Sequence, residues 1–562
     1  MTALLTDNLP LLAGAPNGIK KLRELILELA VRGKLVPQDP NDEPASELLK
    51  RIAEEKARLV SEGKVRKQRP LGEIGAEEKP FDVPTNWEWV RVAAVGHDWG
   101  QKTPDKAFTY IDVGAVENAA GRISAPQILM AEDAPSRARK VVRPGTVIYS
   151  TIRPYLLNVA VIEETYEQEP IASTAFAIIH PYLEMPARYF LCYLRSPVFV
   201  RYVESVQMGI AYPAINDGQF FSGLIPLPPL AEQHRIVAKV DELMALCDRL
   251  EAQQADAESA HAQLVQALLD SLTQARDAED FTQSWQRLAE HFNTLFTTES
   301  SINALKQTLL QLAVMGKLVP QDPSDEPASE LLKRIADEKA QLAAEGRIKK
   351  QKPLDEILDE ERPLLLPPAW AWVKPEDFSM KITDGEHFKP DTEETGVYFL
   401  SAKDIRDDGV SLENPLFISE EAAKKALQRC DPQYGDLLIV SRGATVGRMC
   451  KVNIRERFCL LGSVILVKPS KHVLSEFLSI ALKSPDSFRQ LVNASGSTAQ
   501  PAIYLRDLKK IVLPMPPLAE QHRIVAKVDQ LMALCDRLKA RLNQARQVHE
   551  QLANALVEQA VA

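Results

Sequence analysis

Apolar residues recur in alternating steps of four and three along two long stretches of this chain. The first stretch runs from Ile236 to Leu268 and the second from Ile524 to Leu556. This spacing puts the apolar side chains on one face of a helix and is typical of a coiled-coil seam. We predict two long helices, each spanning about 50 Å over its seam at 1.5 Å per residue. Each helix is the obvious partner for the other.

Short apolar runs separated by turn residues mark two further regions, residues 80–225 and 363–513. Runs such as VIYSTI and LLIVS predict strands. The tryptophans of each region stand two apart near its start, so the two side chains of a pair share one face of a strand. They suit either base stacking or a core, and their presence in both regions favours the core. These tryptophans are Trp87, Trp89, Trp370 and Trp372.

The whole pattern is duplicated. Residues 27–71 return at 310–354 with 34 of 45 positions identical, and residues 226–250 return at 514–538 with 23 of 25 identical. The β-rich regions have diverged and keep only landmarks such as Pro-Ala-Ile, at 213–215 and 501–503. We expect an internal two-fold axis, a scaffold that does one job twice, and two domains that recognise different things.

A pair of helices precedes each β-rich region, at residues 18–69 and 301–352. Gly33 and Gly316 are expected to end the first helix of each pair, and Ser46 and Ser329 to cap the second. Each pair ends in a basic tip that is either a set of phosphate contacts or a solvated helix end. The cations of the two tips are Lys64, Arg66, Lys67, Arg69, Arg347, Lys349, Lys350 and Lys352.

Composition narrows the class of protein. A chain of 562 residues with 45% hydrophobic and 26% charged residues is expected to form several globular domains. No 18-residue apolar run and no secretion signal is present, so we expect a cytoplasmic protein without a membrane partner. The six cysteines form no CxxC pair and are expected to be free and buried. A net charge of −10 argues weakly against nucleic acid but does not exclude one basic face.

The sequence contains no convincing catalytic motif, although a nuclease-like cluster of carboxylates with a lysine is hard to recognise from sequence alone. We find no phosphate-binding GxxxxGK[ST] loop, no [DN]PP[YF] tetrapeptide and no HExxH. His234 and His522, in the repeated AEQHRIV segment, suit a helix-start polar contact better than a metal or catalytic role. We therefore expect no catalytic residue, no metal and no cofactor.

The motifs resemble one family. Regions that open with PTNWEWV and PPAWAWV and close in PLPPLAEQHRIV and PMPPLAEQHRIV are similar to the specificity (S) subunit of type I restriction–modification systems, in its longer form. The resemblance implies an α+β fold in which two β-rich target-recognition domains are joined by two long antiparallel coiled-coil helices. It also implies a non-catalytic subunit that reads a bipartite, asymmetric site in double-stranded DNA. Two methyltransferase (M) subunits would dock on it, and restriction (R) subunits would join through them.

We divide the chain accordingly into six segments. They are an N-terminal helical scaffold (1–79), target-recognition domain 1 (80–225), a central long helix with linker (226–300), a second scaffold repeat (301–362), target-recognition domain 2 (363–513) and a C-terminal long helix (514–562).

Reading bases in the major groove requires polar or cationic side chains on the recognition face. For each candidate the alternative is an ordinary solvated surface residue. The candidates are Ser150, Thr151, Arg153, Tyr155 and Tyr212 in the first domain, and Lys403, Arg406, Ser441, Arg442, Thr445 and Gln500 in the second.

Two other classes of protein compete with this interpretation. A helical adaptor without a DNA role leaves the divergence of the β-rich regions unexplained. A fused methyltransferase–specificity enzyme needs the catalytic motifs that are absent.

Overall fold

A computed structural model describes residues 9–66, 71–209, 211–348, 356–494 and 502–561. The chain forms two compact units, one of residues 1–257 with 545–562 and the other of residues 258–544. No helix within the described ranges has both the length and the apolar content to cross a bilayer.

The first unit holds two helices of the scaffold, a β-rich domain and the start of a long helix. Its helices are α1 (Leu9–Gly14), α2 (Gly18–Val31), α3 (Ala45–Ser61), α4 (Val92–Val95), α5 (Ala187–Arg195), α6 (Pro197–Val206), α7 (Asp217–Ser222) and the first part of α8 (Leu230–Thr273). Its strands are β1 (Glu88–Arg91), β2 (Gly96–His97), β3 (Phe108–Ile111), β4 (Val116–Glu117), β5 (Arg122–Ile123), β6 (Gln127–Leu129), β7 (Ala138–Val141), β8 (Val147–Ser150), β9 (Val159–Val161), β10 (Glu169–Ser173), β11 (Phe176–Pro181) and β12 (Leu224–Leu227).

The second unit repeats this plan. Its further helices are α9 (Ala278–Ala289), α10 (Phe292–Leu295), α11 (Glu299–Val314), α12 (Ala328–Ala344), α13 (Pro375–Phe378), α14 (Glu420–Arg429), α15 (Ser475–Lys483), α16 (Pro485–Ala494), α17 (Leu505–Leu508) and the first part of α18 (Leu518–Val561). Its strands are β13 (Ala371–Val373), β14 (Ser379–Asp384), β15 (Val397–Leu400), β16 (Ile405–Arg406), β17 (Gly409–Val410), β18 (Leu416–Ile418), β19 (Leu437–Val440), β20 (Met449–Lys451), β21 (Phe458–Leu460), β22 (Val464–Pro469) and β23 (Leu513–Met515).

The main sheets of the two units share a common strand order, although those of the first unit contain additional strands. The order β2-β11-β8-β9 in the first unit matches β14-β22-β19-β20 in the second. The order β6-β3-β10 matches β18-β15-β21, and the parallel pair β3–β10 matches the parallel pair β15–β21. The fold was therefore duplicated together with the helices, although the β-rich sequences have diverged. The α+β class with two β-rich domains and two long helices is confirmed.

The long helices follow the predicted seam only over their first halves. In α8 the seam is buried at Ile236, Val240 and Cys247, but residues 251–260 are exposed. Burial resumes at Val265 and Leu269, one position after the Leu264 and Leu268 that we expected. The 18 residues from Cys247 to Val265 are five turns at 3.6 residues per turn, so the helix keeps the plain α-helical period. An unbroken coiled-coil seam is thus wrong beyond Leu250.

Helix α18 behaves in the same way. Ile524 and Cys535 are buried, Leu552 is exposed, and Ala553 is buried 18 residues after Cys535. The core of the first unit includes the start of α8 and the end of α18, and the core of the second unit includes the start of α18 and the end of α8.

The scaffold helices begin differently from our expectation. Helix α3 starts at Ala45, preceded by Pro44, and Ser46 lies inside its first turn without capping it. The Ala45 N–H donates instead to the Asn86 carbonyl at 2.9 Å, and Ala328 donates in the same way to Ala369 in the second unit. The capping roles predicted for Ser46 and Ser329 are therefore wrong, and the loop before each first tryptophan takes that role.

The positions that end α2 and α11 require glycine for steric reasons. Gly33 has a φ of 69°, and a Cβ there would lie 2.5 Å from Pro84 Cγ and 3.3 Å from Trp87. Gly316 repeats this against Pro367 and Trp370. The predicted core role of the tryptophans holds for Trp87, Trp89 and Trp370, which are buried, whereas Trp372 is half-buried. The six cysteines are free and buried as expected.

A buried carboxylate ties scaffold, β-rich domain and long helix together in the first unit. Glu232, in the first turn of α8, has no exposed surface. Its two oxygens accept hydrogen bonds from Gln38 Nε2 at 2.5 Å and from Trp87 Nε1 at 2.9 Å. We call this three-residue contact the carboxylate clamp. An ion pair between Arg235 and Asp42, at 2.6 Å, lies beside it.

The second unit has the same clamp. Glu520 accepts from Gln321 Nε2 at 2.6 Å and from Trp370 Nε1 at 2.9 Å, and Arg523 pairs with Asp325 at 2.6 Å. The clamp accounts for the repetition of AEQHR after each β-rich region. Burial raises the pKa of Glu232 and of Glu520, while the indole and amide donors act in the opposite direction. The charged form therefore depends on its donors.

We expect Trp87→Phe to weaken the attachment of α8 by about 1–3 kcal/mol at neutral pH, because it leaves a buried carboxylate oxygen without a donor. Folding raises the pKa of Glu232 above its value in the unfolded chain. The neutral carboxyl therefore stabilises the fold at pH values below the unfolded pKa, and this contribution is lost as the pH rises through the folded pKa. Losing a donor raises that pKa further, and the penalty of Trp87→Phe should shrink as pH falls from 7.5 towards 5.

Amide hydrogen exchange of residues 230–240 measures this penalty. Trp89→Phe is the matched control, since Trp89 Nε1 donates to the neutral Phe81 carbonyl and its loss should not depend on pH. Equal penalties with no pH dependence for the two variants would contradict a role for the Glu232 charge.

Candidate nucleic-acid interface

Hairpin loops at equivalent places in the two domains carry six of the eleven predicted base-reading residues. One loop joins β8 to β9 and covers residues 151–158, and the other joins β19 to β20 and covers residues 441–448. Thr151 and Ser441 make matching backbone hydrogen bonds. Their N–H groups donate to Ala175 and Ser463, and their carbonyls accept from Ile215 and Ile503 at 2.9 Å.

The residues that follow Thr151 and Ser441 therefore occupy equivalent positions in the two domains. Ile152 pairs with Ala214, and Arg442 pairs with Ala502, each alanine belonging to the shared Pro-Ala-Ile triplet. Both side chains are exposed. The same position of the duplicated fold thus presents an aliphatic side chain in one domain and a guanidinium in the other. Ile152 could not be identified from the sequence, because the loops share too few residues to fix their register.

Three predicted base-reading residues lie beneath the surface. Ser150 Oγ donates to the Ile152 carbonyl at 2.8 Å, and Thr151 Oγ1 donates to the Ala175 carbonyl at 2.9 Å. Ser441 is equally buried, with its hydroxyl 3.4 Å from the Gly462 carbonyl. We correct the expectation for Ser150, Thr151 and Ser441: their hydroxyls face the protein and hold the loops, so they are not free to contact bases.

Arg153 adopts a strained backbone conformation. Its φ of 49° and ψ of 57° are left-handed, a region that costs about 1–3 kcal/mol for a residue with a Cβ. The equivalent residue of the second domain is Gly443, with a φ of 107°. The Arg153 guanidinium lies 5.1 Å from the centre of the exposed Tyr212 ring. A strained arginine where glycine suffices is typical of a functional position.

The second domain also stacks arginine on tyrosine. Arg442 lies 5.7 Å and Arg506 lies 5.1 Å from the centre of the Tyr504 ring. Tyr504 follows the Pro-Ala-Ile triplet directly, whereas Tyr212 precedes it. Tyr504 and Arg506 are absent from the predicted set, because the candidates near the triplet were chosen from the residues before it.

Two of the other described candidates, Lys403 and Arg406, already have partners within the protein. Tyr155 is exposed in the first loop. Lys403 donates to the Asn414 carbonyl at 3.0 Å, and Arg406 pairs with Glu413 at 2.5 Å. Thr445 lines a groove of about 1030 Å³ that also contains Asp407 and Asp408. Exposed ion pairs are weak enough for Arg406 to exchange its partner for a ligand. Arg442 is exposed on the loop itself and is the better candidate for a base contact.

The basic tips are only partly described. Lys64 pairs with Glu62 at 2.7 Å, Arg347 lies 3.6 Å from Glu345, and Arg66 is exposed. His234 and His522 are exposed on the first turns of the long helices. The remaining predicted residues lie outside the described residues, namely Lys67, Arg69, Lys349, Lys350, Lys352 and Gln500.

A duplicated scaffold that carries two diverged surface loops is suited to a protein that binds a partner with two different halves. The chain matches the type I restriction modification DNA specificity domain over residues 84–258 and 383–546, more than half of its length. It is 40% identical to the type I restriction enzyme EcoAI specificity subunit of Escherichia coli, over 97% of this chain and 94% of that one. It is 36% identical to the EcoEI specificity subunit of the same organism over equal shares.

The chain belongs to the family of type I restriction–modification specificity subunits. A solved structure concerned with complex assembly and conformational transition of the type I R-M system contains a similar chain, with a TM-score of 0.54 and 25% identity. The match covers 86% of this chain and 99% of that one. The protein is a DNA-recognition subunit and not itself an enzyme. It acts with DNA and the other subunits of a type I restriction–modification assembly.

Arg153→Gly should separate strain from function. We expect the free energy of unfolding to rise by about 0.5–1 kcal/mol, because glycine adopts the left-handed conformation without the Cβ cost. Binding to the specific DNA site should weaken by about 1–3 kcal/mol, because the guanidinium is removed.

Arg153→Ala is the matched control, since it removes the guanidinium but keeps the strain. It should weaken DNA binding without stabilising the protein. Thermal unfolding and a DNA titration of the complex with the M subunit measure the two effects. Unchanged DNA binding by both variants would exclude Arg153 from the interface.

Proposed function

We propose that this chain reads a split, asymmetric DNA site, with one half-site contacted by each β-rich domain. One observation carries the proposal, namely that a single structural position presents Ile152 in one domain and Arg442 in the other. A guanidinium suits the O6 and N7 acceptors of guanine, whereas an aliphatic side chain does not. Two domains that differ at one exposed position of a common fold are suited to different bases.

The repeated scaffold supports the docking of two identical M subunits, with R subunits joining through them. Helices α3 and α12 share 13 of 17 residues, and the shared positions include exposed as well as buried ones. Glu47 and Lys50 form the same ion pair as Glu330 and Lys333, and Arg51 recurs as Arg334. Packing explains identity at buried positions only. Identity at exposed positions is expected where the same partner binds each copy.

The phosphate backbone supplies the remaining contacts in this proposal. The basic tips, Lys403 and Arg406 are suited to neutralising phosphates, and Tyr155 and Tyr212 to packing beside the sugar or base edges. Gln500 is proposed to match Tyr212 in the second domain. In this proposal the M subunits supply much of the phosphate contact, so the net charge of −10 does not exclude DNA binding. The six-segment division and a cytoplasmic location remain part of the proposal.

Replacing residues 80–225 by the recognition domain of a relative should change one half of the DNA site and leave the other as it was. The common sheet order and the repeated clamp should let the scaffold accept the new domain. Mapping methylated adenines in cells that carry the hybrid with its M subunit tests this expectation. A hybrid whose two half-sites change together would contradict one domain per half-site.

Arg442→Ala should weaken binding to the specific site by about 1–3 kcal/mol and change binding to random DNA much less, because it removes a bidentate hydrogen bond to guanine. Arg506→Ala is the matched control, since it removes the other guanidinium from the same Tyr504 ring. Titrations against specific and random duplexes distinguish the roles. Equal effects on both duplexes would assign Arg442 to a phosphate.

A further inference from the structure

The loop at residues 151–158 and the neighbouring segment around Ala214 present large apolar side chains to solvent. Met208 is 61% exposed, Tyr212 69% and Ile152 43%. Tyr155 and Leu156 are exposed beside them on the loop. We call these five residues the apolar patch. Isolated apolar residues on a surface need no explanation, whereas a group of exposed apolar residues on paired segments is suited to contact with a partner.

Backbone hydrogen bonds hold the apolar patch in place. Met208 and Ala214 exchange two bonds of 2.9 Å, and Ile152 pairs with the same alanine. The Arg153 N–H donates to the Pro213 carbonyl at 2.8 Å, and the Leu156 N–H donates to Arg153 at 3.0 Å. Asn118 Nδ2 donates to the Leu156 carbonyl at 3.1 Å. The apolar groups are therefore presented on a preorganised backbone, so little conformational entropy opposes their binding to a partner.

The fold does not require this patch. The second domain places Arg442 where the first has Ile152, and it stacks two guanidiniums on Tyr504. Backbone pairing around the two positions is the same, as Ile215 and Ile503 bond to Thr151 and Ser441 at the same distance. The apolar side chains are therefore not needed for folding, and we attribute them to the ligand that the first domain binds.

We propose that the apolar patch reads thymine, with Ile152 contacting the C5-methyl group in the major groove. The inference rests on the proposed DNA-reading role and adds the class of base. Thymine is the base that shows an apolar group on its major-groove edge. The Arg153 guanidinium lies over the ring of Tyr212, one member of the patch, and is suited to a neighbouring phosphate or base acceptor. The patch is thereby continuous with the loop at residues 151–158, which we propose contacts DNA.

Deoxyuridine is the sharpest probe, because it lacks only the methyl group of thymidine. The experiment uses the complex of this chain with its M subunit and a duplex that carries the target motif found by mapping methylation. All thymidines of one half-site are replaced by deoxyuridine on both strands, and a second duplex has the other half-site replaced. Removing one methyl group that packs against the patch should raise Kd about fourfold, equivalent to about 0.8 kcal/mol. The increase should be confined to one half-site and stay below twofold in the other.

Variants of Ile152 connect that penalty to the patch. With Ile152→Ala the complex should bind the thymidine and deoxyuridine duplexes equally, whereas Ile152→Val should keep most of the difference. The side chain is exposed, so neither variant removes a core contact. Thermal unfolding and gel filtration with the M subunit check that both variants fold and assemble.

The outcomes separate the two proposals. Specific binding that is indifferent to deoxyuridine in both half-sites overturns this inference and leaves the DNA-reading role intact. An undiminished deoxyuridine penalty in Ile152→Ala also overturns it, and loss of the M subunit in that variant would make the patch a protein contact instead. Failure to prefer the methylated motif over random DNA would overturn the DNA-reading role itself.

Discussion

The carboxylate clamp is the contact on which the arrangement of each unit depends. Glu232 and Glu520 each lie where three parts of the chain meet: the loop after the first scaffold helix, the tryptophan that opens the β-rich domain, and the start of the long helix. A carboxylate without exposed surface is costly unless its oxygens are satisfied. Its two donors come from two different parts of the chain, so the clamp is complete only when all three parts are in place.

The clamp also explains how the recognition domains could diverge. It fixes each domain at its base, through Trp87 or Trp370 and the strands beside them, far along the chain from the loops at 151–158 and 441–448. Each loop is held by the same backbone pairing with the alanine of its Pro-Ala-Ile triplet. Their exposed side chains can change from Ile152 to Arg442 without touching the clamp. Arg153 adopts a strained backbone conformation where the other copy has glycine. The first loop therefore keeps an exposed arginine at a cost in folding stability.

Much of the architecture could be predicted from the sequence, because duplication and apolar period are local signals. The two long helices, the two β-rich regions and the buried tryptophans all follow from them. The seam beyond Leu250 could not, since steps of four and three fit a 3.5-residue repeat while the helix keeps 3.6, and the difference reaches one residue by Val265. The clamp could not be predicted either, as Gln38 and Glu232 are 194 residues apart.

The site was predicted less well, and the reason is physical. Residue type does not reveal burial, so Ser150, Thr151 and Ser441 suggested base contacts although their hydroxyls point into the protein. Conversely, Ile152 and Met208 belong to a class that usually forms cores and were passed over. Only the backbone register, with Ala214 and Ala502 as common reference points, identifies which loop residues are equivalent.

Photocrosslinking from positions 152 and 442 tests the central claim most directly. A p-benzoylphenylalanine at either position, in the complex with the M subunit on a duplex carrying the methylated motif, marks the nucleotide that the position faces. We expect one crosslink inside each half-site, on opposite sides of the unread spacer. Crosslinks from both positions to the same half-site, or to the M subunit in place of DNA, would contradict one recognition domain per half-site.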